Sequence, residues 1–110
     1  MKEQSYYDLV YYITQKIPKG RVSTYGAIAD YLSLGSARMV GWALTQSNLT
    51  QMGEVPAHRV VNSKGELSGR AHFGSPTRMQ ELLEQEGVAV DKHKIKEFKK
   101  LFWHPQELDL

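Results

Sequence analysis

The stretch VSTYGAIADYLSLGSARMVGWALTQ, residues 22–46, decides the fold. Ser23 or Thr24 can cap a first short helix, because a hydroxyl at that position accepts a hydrogen bond from a free N–H group of the first turn. Gly35 breaks this helix, and Ser36 can cap a second one. Two short helices joined by a few residues that include glycine predict a helix-turn-helix. Apolar residues recur at helical spacing in both segments: Tyr25, Ile28, Ala29 and Leu32 in the first, and Met39, Val40, Ala43 and Leu44 in the second.

The segments on either side of this motif extend the prediction to a whole domain. Residues 6–17 repeat apolar side chains at helical spacing, and Pro18 ends that helix. After the motif, HRVVN (residues 58–62) alternates like a strand and SKGEL (residues 63–67) contains a turn glycine, which together predict a β-hairpin. We therefore expect a mainly α fold of the α+β type, a winged helix-turn-helix with a short β-hairpin wing. Residues 1–110 are expected to form a single domain with a C-terminal tail, partly ordered, from about residue 92.

Composition limits the classes of protein to which the chain can belong. Its 110 residues are 41% hydrophobic and 24% charged, which is typical of a soluble globular protein. No apolar run reaches the roughly 18 residues that a membrane span needs, and the first residues lack the apolar core of a signal peptide. With no cysteine, the chain has no disulfide, thiolate ligand or thiol nucleophile. These features predict a cytoplasmic protein with no membrane partner.

The start of the second predicted helix has the features of a nucleic-acid-binding element. Ser36 and Ala37 are small, so a strand can approach the backbone, and a helix N-terminus favours phosphate. Arg38 follows, and narrow minor grooves attract arginine. Tyr25, at the start of the first helix, could press against the DNA backbone or a base. A structural role stays open for each residue taken alone: Arg38 as a solvated helix residue and Tyr25 as a core residue.

A second stretch, VPAHRVVN (residues 55–62), surrounds Ala57 with residues typical of a catalytic loop. Alanine has no nucleophile, and a histidine such as His58 needs a nucleophile to activate. The stretch is therefore either an ordinary turn with a structural His58 or a catalytic loop that lacks its nucleophile. We predict neither a metal ion nor a cofactor, since the sequence has no phosphate-binding loop motif and its histidines lack metal-ligand spacing. The histidines are His58, His72, His93 and His104.

Taken together, these pieces resemble one family, the DNA-binding domain of O6-alkylguanine-DNA alkyltransferases. The family's hallmark is PCHRV, whose cysteine accepts the alkyl group, and here PAHRV places Ala57 at the acceptor position. This departure resembles the alkyltransferase-like proteins, which lack the cysteine, bind alkylated DNA and pass the lesion to nucleotide excision repair. The likeness spans residues 6–88, in the right order and spacing, and rests on four stretches: IPKGRVSTYGAIA (17–29), SARMVGWAL (36–44), VPAHRVVNSKGEL (55–67) and LLEQEGV (82–88).

The resemblance implies a role for each matching residue. Arg38 is expected to enter the base stack through the minor groove, and Tyr25 to crowd the adjoining phosphate, so that a nucleotide rotates out of the duplex. Glu86 is expected to pair with His58 as a structural partner. The implied DNA-binding set is Tyr25, Ser36, Ala37, Arg38, Met39, Gly41 and Trp42. The implied pocket set is Tyr25, Ala57, Val60, Ser68 and Arg70, and the residues expected to support the pocket are His58, Arg59, Asn62 and Glu86.

Two further positions follow from the same resemblance. The loop over residues 68–74 is expected to cover the extruded base, and Arg70 stands where alkyltransferase-like proteins carry an arginine that stacks against the damaged base. Asn48 matches the family's hinge asparagine. Both positions would serve a base held outside the duplex.

The resemblance implies a non-enzymatic DNA damage sensor. It would bind O6-alkylguanine in double-stranded DNA by minor-groove helix-turn-helix docking, flip the nucleotide, and hand the lesion to nucleotide excision repair proteins without alkyl transfer. We expect a monomer of bacterial type that is nucleoid-associated when bound to DNA. One alternative is a winged-helix regulator, although Met39, Val40, Gly41 and Trp42 are a poor set for reading base edges. The other is a cysteine-free dealkylating enzyme in which His58 and Glu86 activate water.

Overall fold

Five α-helices and two pairs of short strands are found in residues 3–47 and 53–109, the parts of the chain that the structure, a computed structural model, describes. None of the helices in these two ranges is long and apolar enough to cross a membrane. In chain order the helices and strands are α1 (Glu3–Lys16), β1 (Ser23–Thr24), α2 (Tyr25–Tyr31), α3 (Ala37–Thr45), β2 (Val60–Val61), α4 (Arg78–Gln85), β3 (Val90–Asp91), β4 (Lys94–Ile95) and α5 (Phe98–Leu101).

The predicted helix-turn-helix is formed by α2 and α3. Thr24 caps α2 through its hydroxyl, which accepts a hydrogen bond from the N–H of Ala27 at 2.9 Å. Ser36 occupies the cap position of α3 without a side-chain hydrogen bond to the helix. The mainly helical fold with small strand pairs is the one expected for a winged helix-turn-helix. The inner faces of the two helices bury Ala27, Ile28 and Ala29 in α2, and Val40, Ala43 and Leu44 in α3.

Helix α1 packs on α3 and holds it through two tyrosines. The hydroxyl of Tyr6 donates to the carbonyl oxygen of Met39 at 2.9 Å, and the hydroxyl of Tyr11 donates to the carbonyl oxygen of Ala43 at 2.7 Å. One side of α3 is thereby fixed against the core, while its other side stays accessible. The bonds lie beside the first of two apolar clusters, to which α1 contributes Val10, Tyr11 and Ile13, and to which Ile17, directly after the helix, also belongs.

A short parallel strand pair joins the helix-turn-helix to the segment that follows it. Ser23 pairs with Val60, and Thr24 pairs with Val61. Parallel pairing needs a long connection between the strands, and here that connection contains α2 and α3. The pairing places the 3₁₀ turn Ala57–Arg59, which comes directly before β2, beside the start of α2.

The expected hairpin over residues 58–67 is wrong, and the observed one lies later in the chain. Only Val60–Val61 is a strand there, because Asn62 closes the next turn: its side-chain oxygen accepts hydrogen bonds from the N–H groups of Lys64 and Glu66. The antiparallel hairpin is formed by β3 and β4, with Val90 opposite Ile95.

The C-terminal segment is ordered, whereas the sequence predicted a partly ordered tail. Trp103 is only 3% exposed, and its backbone N–H donates to the backbone carbonyl of Val22 at 2.7 Å. Burying an indole removes a large apolar surface from water, which offsets the entropy of ordering the segment.

The second apolar cluster contains Val22, Val61, Leu67, Met79, Leu83, Val88 and Ile95.

Candidate nucleic-acid interface

A cavity of about 780 Å³ opens between α3, the start of α2 and the loops that carry Ala57 and Ser68. A volume of roughly 300–1,000 Å³ is usual for sites that bind small organic groups. The structure thus brings residues from four separate segments around one space. Its lining consists of Tyr25, Ala37, Arg38, Gly41, Trp42, Leu44, Thr45, Ser47, Val55, Ala57, Ser68, Gly69, His72 and Phe73.

The accessible side of α3 supplies the cavity's outer edge. Ala37 and Arg38 are exposed in the first turn of the helix, and Trp42 is 58% exposed one turn later. Arg38 and Trp42 are separated by four residues, so their side chains lie on the same face of the helix. Arg38 makes no salt bridge with any residue in 3–47 or 53–109. An exposed cation and an exposed aromatic ring therefore stand together at the mouth of the cavity.

Tyr25 lies between α3 and the loop that carries Ser68. Its ring carbons lie 3.8 Å from the position that a Cβ atom on Gly41 would occupy, so the ring packs on a helix surface without a side chain. Burial raises the pKa of the Tyr25 hydroxyl, although a hydrogen bond with Ser68 acts in the opposite direction. A Cβ atom on Gly69 would lie 2.6 Å from the Tyr25 hydroxyl oxygen, a distance shorter than van der Waals contact. Gly69 is needed at this position for space.

Ala57 forms part of a wall that the large cavity shares with a smaller one of about 400 Å³. Val55 and Phe73 line both cavities as well. The smaller cavity also contacts His58, Arg59 and Glu86. The methyl group of Ala57 offers no nucleophile to a molecule on either side of the wall.

The Glu86 carboxylate is the centre of a saturated polar network. His58 Nε2 lies 2.7 Å from Glu86 Oε2, and Arg59 donates from Nε at 3.0 Å to Oε1 and from Nη2 at 2.8 Å to Oε2. The N–H of Gly20 donates to Oε1 at 3.3 Å, and Arg59 Nη1 donates to the carbonyl of Ile17 at 2.9 Å. Because an ionised carboxylate only accepts hydrogen bonds, His58 must be the donor from Nε2.

These contacts determine the ionisation of Glu86. Burial by itself would raise the pKa of the carboxyl, but hydrogen bonds from Arg59, His58 and the Gly20 N–H outweigh it and lower the pKa to about 2. Glu86 is therefore ionised at neutral pH, and both of its oxygens are engaged. Such a carboxylate is a poor general base, since catalysis favours a pKa close to the working pH.

Several residues expected at the interface lie outside the cavity lining. Val60 is fully buried in the first apolar cluster, because its strand pairs with β1, so it does not line the pocket as expected. Arg70 does not line it either, since its guanidinium donates to the carbonyl of Leu67 at 2.9 Å. Ser36 and Met39 belong to α3 and its cap but do not line the cavity. Asn62 lies in the turn after β2 rather than beneath the pocket.

Other lining residues were not identified from the sequence. Gly69, His72 and Phe73 stand in the loop over residues 68–74, which was expected to cover an extruded base, but none of the three was assigned to the pocket. The available signal was Phe73, an aromatic ring within that loop. Val55 stands two residues before Ala57, and nothing in the sequence predicts that it lines the cavity. Asn48 lies outside the described residues. In the described ranges no group of three or more His, Cys, Asp or Glu side chains could hold a metal ion.

Comparison with known proteins agrees with this arrangement. A family model, 6-O-methylguanine DNA methyltransferase, DNA binding domain, matches residues 5–88. Alkyltransferase-like protein 1 of Schizosaccharomyces pombe is 38% identical over 110 residues, which cover 96% of this chain and 100% of that protein. A DNA base-flipping protein of Vibrio parahaemolyticus is 37% identical over 97 residues, covering 87% and 93% of the two chains.

A solved structure is similar to the fold as well. The crystal structure of S. pombe Atl1 in complex with damaged DNA containing O6-carboxymethylguanine matches with a TM-score of 0.79 and 36% identity, over 96% of this chain and 100% of that one. The match to the family model includes both α3 and the turn that carries Ala57. The chain therefore belongs to the family of the 6-O-methylguanine DNA methyltransferase DNA-binding domain, within which it is an alkyltransferase-like protein.

Proposed function

We propose that this protein is a non-enzymatic sensor of O6-alkylguanine in double-stranded DNA. It docks α3 in the minor groove, turns the modified nucleotide out of the duplex and holds it in the large cavity without removing the alkyl group. The observation that carries the proposal is the position of Ala57, at the acceptor position of the family motif and in the wall of that cavity.

The geometry of α3 supports nucleotide flipping. Turning out a base costs a few kcal/mol of lost stacking and pairing, and less for a damaged pair. Arg38 is exposed beside the small Ala37 and reaches the mouth of the cavity, so it can fill the space that the nucleotide leaves. Tyr25 lines the same cavity between α3 and the loop that carries Ser68, so its ring lies beside the nucleotide that must rotate. The cost of extrusion is offset by the contacts of the base inside the cavity.

The absence of transfer follows from the residues around Ala57. A methyl group cannot accept an alkyl group, and His58 donates from Nε2 to Glu86. The water-activating alternative needs a base with a free acceptor and a suitable pKa, whereas Glu86 has engaged oxygens and a pKa of about 2. We therefore assign the His58, Arg59 and Glu86 network to support of the Ala57 turn.

The winged-helix regulator is less compatible with the interface. Reading a sequence in the major groove needs polar side chains along the recognition helix. After Arg38, the α3 residues that line the cavity are Gly41, Trp42, Leu44 and Thr45, none of which can make a bidentate contact with a base edge; the Thr45 hydroxyl donates to the carbonyl of Trp42. A cavity beside the helix also has no use in sequence reading, whereas a flipped base needs one.

Because the lesion is held and not repaired, we also propose that the complex is a platform for other repair proteins. A monomer in the cytoplasm would mark the damaged site and pass it to nucleotide excision repair. The S. pombe relative was crystallised with damaged DNA, which agrees with a long-lived complex of this kind.

The test is a binding titration with two duplexes of the same sequence, one carrying a single O6-methylguanine and one undamaged, at stated salt concentrations. We expect tighter binding to the modified duplex, an unchanged intact mass of the protein, and no unmodified guanine formed after long incubation. Equal affinity for both duplexes would overturn the proposal. A covalent gain in protein mass, or repeated release of guanine, would establish an enzyme, and a preference for one unmodified sequence would establish a regulator.

A further inference from the structure

A surface with three exposed lysines lies outside both cavities. It consists of Lys64 in the turn after β2 together with Lys92 and Lys94 in the β3–β4 hairpin, all exposed. None of these lysines lines the large or the small cavity. We call this surface the basic platform.

Backbone hydrogen bonds join the turn and the hairpin into one unit. The N–H of Ile95 donates to the carbonyl of Gly65 at 2.8 Å, and the N–H of Leu67 donates to the carbonyl of His93 at 2.8 Å. Glu66 and Lys94 also form an antiparallel bridge. The positions of the three lysines are therefore fixed relative to one another, although their side chains are free to rotate.

The tip of the hairpin keeps cationic side chains where the backbone favours other residues. Lys92 and His93 have φ angles of 51° and 65°, so both lie in the left-handed region. A two-residue hairpin turn of this type strongly favours Asn-Gly or Gly-Gly, since a Cβ atom is unfavourable there. The chain instead presents a long basic side chain and an imidazole at the most protruding point of the hairpin.

The lysines of the basic platform have charge available for a partner. Across the described ranges, Lys64, Lys92 and Lys94 make no salt bridge with any acidic side chain. Two exposed carboxylates, Asp91 and Glu66, both stand opposite Lys94 in the strand pairing and balance part of its charge, and Glu66 also accepts a hydrogen bond from the side-chain amide of Asn62 at 2.8 Å. An anion approaching the hairpin tip would therefore meet lysines that no salt bridge occupies.

The basic platform is continuous with the rim of the large cavity. Leu67, bonded to His93, is followed directly by Ser68 and Gly69, which line the cavity. Four residues separate Lys64 from Ser68, so the two lie at most about 14 Å apart. Phosphates follow one another by about 3.4 Å of helix axis along a strand. Lys64, at this edge of the basic platform, thus lies within a few nucleotides' length of a base held in the cavity.

We propose that the basic platform binds the phosphates of the DNA strand that flanks the nucleotide held in the cavity. This inference rests on the proposed function, because it places the same duplex on a second surface. Lysine contacts to phosphate carry no sequence or lesion information. The basic platform therefore raises affinity for all DNA, while the cavity discriminates between modified and unmodified bases.

The first test is the double variant Lys92→Gln/Lys94→Gln, titrated with the modified and the undamaged duplex over a series of salt concentrations. Each phosphate contact that is lost should reduce the slope of log affinity against log salt by about 0.9. We expect a flatter slope, with weaker binding to both duplexes by the same factor and an unchanged preference for the lesion. The matched control is Lys16→Gln/Lys19→Gln, which removes the same charge from α1 and the turn after it, and should keep a slope close to that of the wild type.

A second variant separates the charge of the tip from the integrity of the hairpin. Lys92→Asn/His93→Gly places the preferred turn residues at the two left-handed positions, so its melting temperature should equal or exceed that of the wild type. Its slope should nevertheless be flatter. An unchanged slope in both hairpin variants, or an equal change in the Lys16 and Lys19 control, would overturn the proposal. A wild-type protein without lesion preference would refute the proposed function alone, since the slope measurement on undamaged DNA would still test the basic platform.

Discussion

The large cavity and the Glu86 network meet at one wall but use their polar groups in opposite ways. Arg38 at the mouth of the cavity is exposed and makes no salt bridge with a described residue, whereas the Glu86 carboxylate is bonded by Arg59, His58 and the Gly20 N–H. Groups of the first kind can bind an incoming molecule, and groups of the second kind stabilise the fold. The comparison separates recognition from support, and each of the following variants tests one side of it.

The largest effect is expected at the centre of the network. Glu86→Gln removes the charge that Arg59 and His58 share, and the side chains of Glu86 and Arg59 are only 9% and 16% exposed. Breaking a largely buried ion pair on one side costs about 3–5 kcal/mol, so the free energy of unfolding should fall by about 3 kcal/mol in a urea titration. Glu84→Gln, at an exposed position in the last turn of α4 and two residues before Glu86, should change it by less than about 0.5 kcal/mol. Equal losses in the two variants would contradict a supporting role for Glu86.

The same network should make stability depend on acid pH. The pKa of Glu86 is lowered from 4.5 to about 2 in the folded protein. Its ionised form therefore contributes stability above about pH 4.5, and this contribution is lost as the pH falls from there towards 2; the full shift corresponds to about 3 kcal/mol. The difference in unfolding free energy between the wild type and Glu86→Gln should shrink over this range. A difference that stays constant down to pH 2 would show that ionisation of Glu86 is not its source.

On the recognition side, Arg38→Ala should weaken binding to an O6-methylguanine duplex by about 10- to 100-fold, or roughly 1.4–2.8 kcal/mol. The reason is that nothing then fills the space left by the extruded nucleotide. The melting temperature should not change, because Arg38 is exposed. Arg78→Ala, an exposed arginine on α4, serves as the control. Wild-type affinity in Arg38→Ala would show that this side chain does not enter the duplex.

A smaller effect is expected from Gly69→Ala. The new Cβ atom would lie 2.6 Å from the Tyr25 hydroxyl oxygen, so the hydroxyl has to move away. Overpacking of this kind costs about 1 kcal/mol or more, and the displaced ring should also lower DNA affinity. Gly26→Ala is the matched control, since a Cβ atom there meets nothing within 4 Å and an alanine in α2 should stabilise the helix by about 0.5–1 kcal/mol. If both variants were equally stable, the contact between Gly69 and Tyr25 would not constrain the loop.

The smallest effect is expected at Arg70, which must leave the Leu67 carbonyl before it can stack on a base. Arg70→Ala should reduce the preference for modified over normal guanine by about 0.5–1 kcal/mol, within the range of a cation over an aromatic ring. Affinity for undamaged DNA should change less. An unchanged ratio of the two dissociation constants would remove Arg70 from lesion recognition.

The sequence predicted those parts of the molecule whose signals are local. The hydroxyl of Thr24 and the spacing of Ile28, Val40 and Leu44 were sufficient to define α2 and α3. The proximity of His58 to Glu86 came from the family resemblance, because 28 residues separate them and no periodic pattern connects them.

The remaining parts depend on contacts between distant segments. The burial of Val60 follows from its pairing with Ser23, which hydrophobic alternation in residues 58–62 cannot reveal. The hairpin turn was missed because Lys92 and His93 stand where glycine or asparagine would have signalled it. The order of the C-terminal segment depends on Trp103, whose partner Val22 is far away in the sequence.

The two-residue ladder between β1 and β2 also bears on the kinetics of binding. It fixes the strand that leads into α2 against the strand that follows Ala57, so the helix that we propose enters the groove and the wall that we propose receives the base are assembled before any encounter. We therefore expect similar association rates for duplexes that carry different adducts. Differences in affinity among these duplexes should come from the residence time of each complex, as is usual when related ligands share a preformed surface.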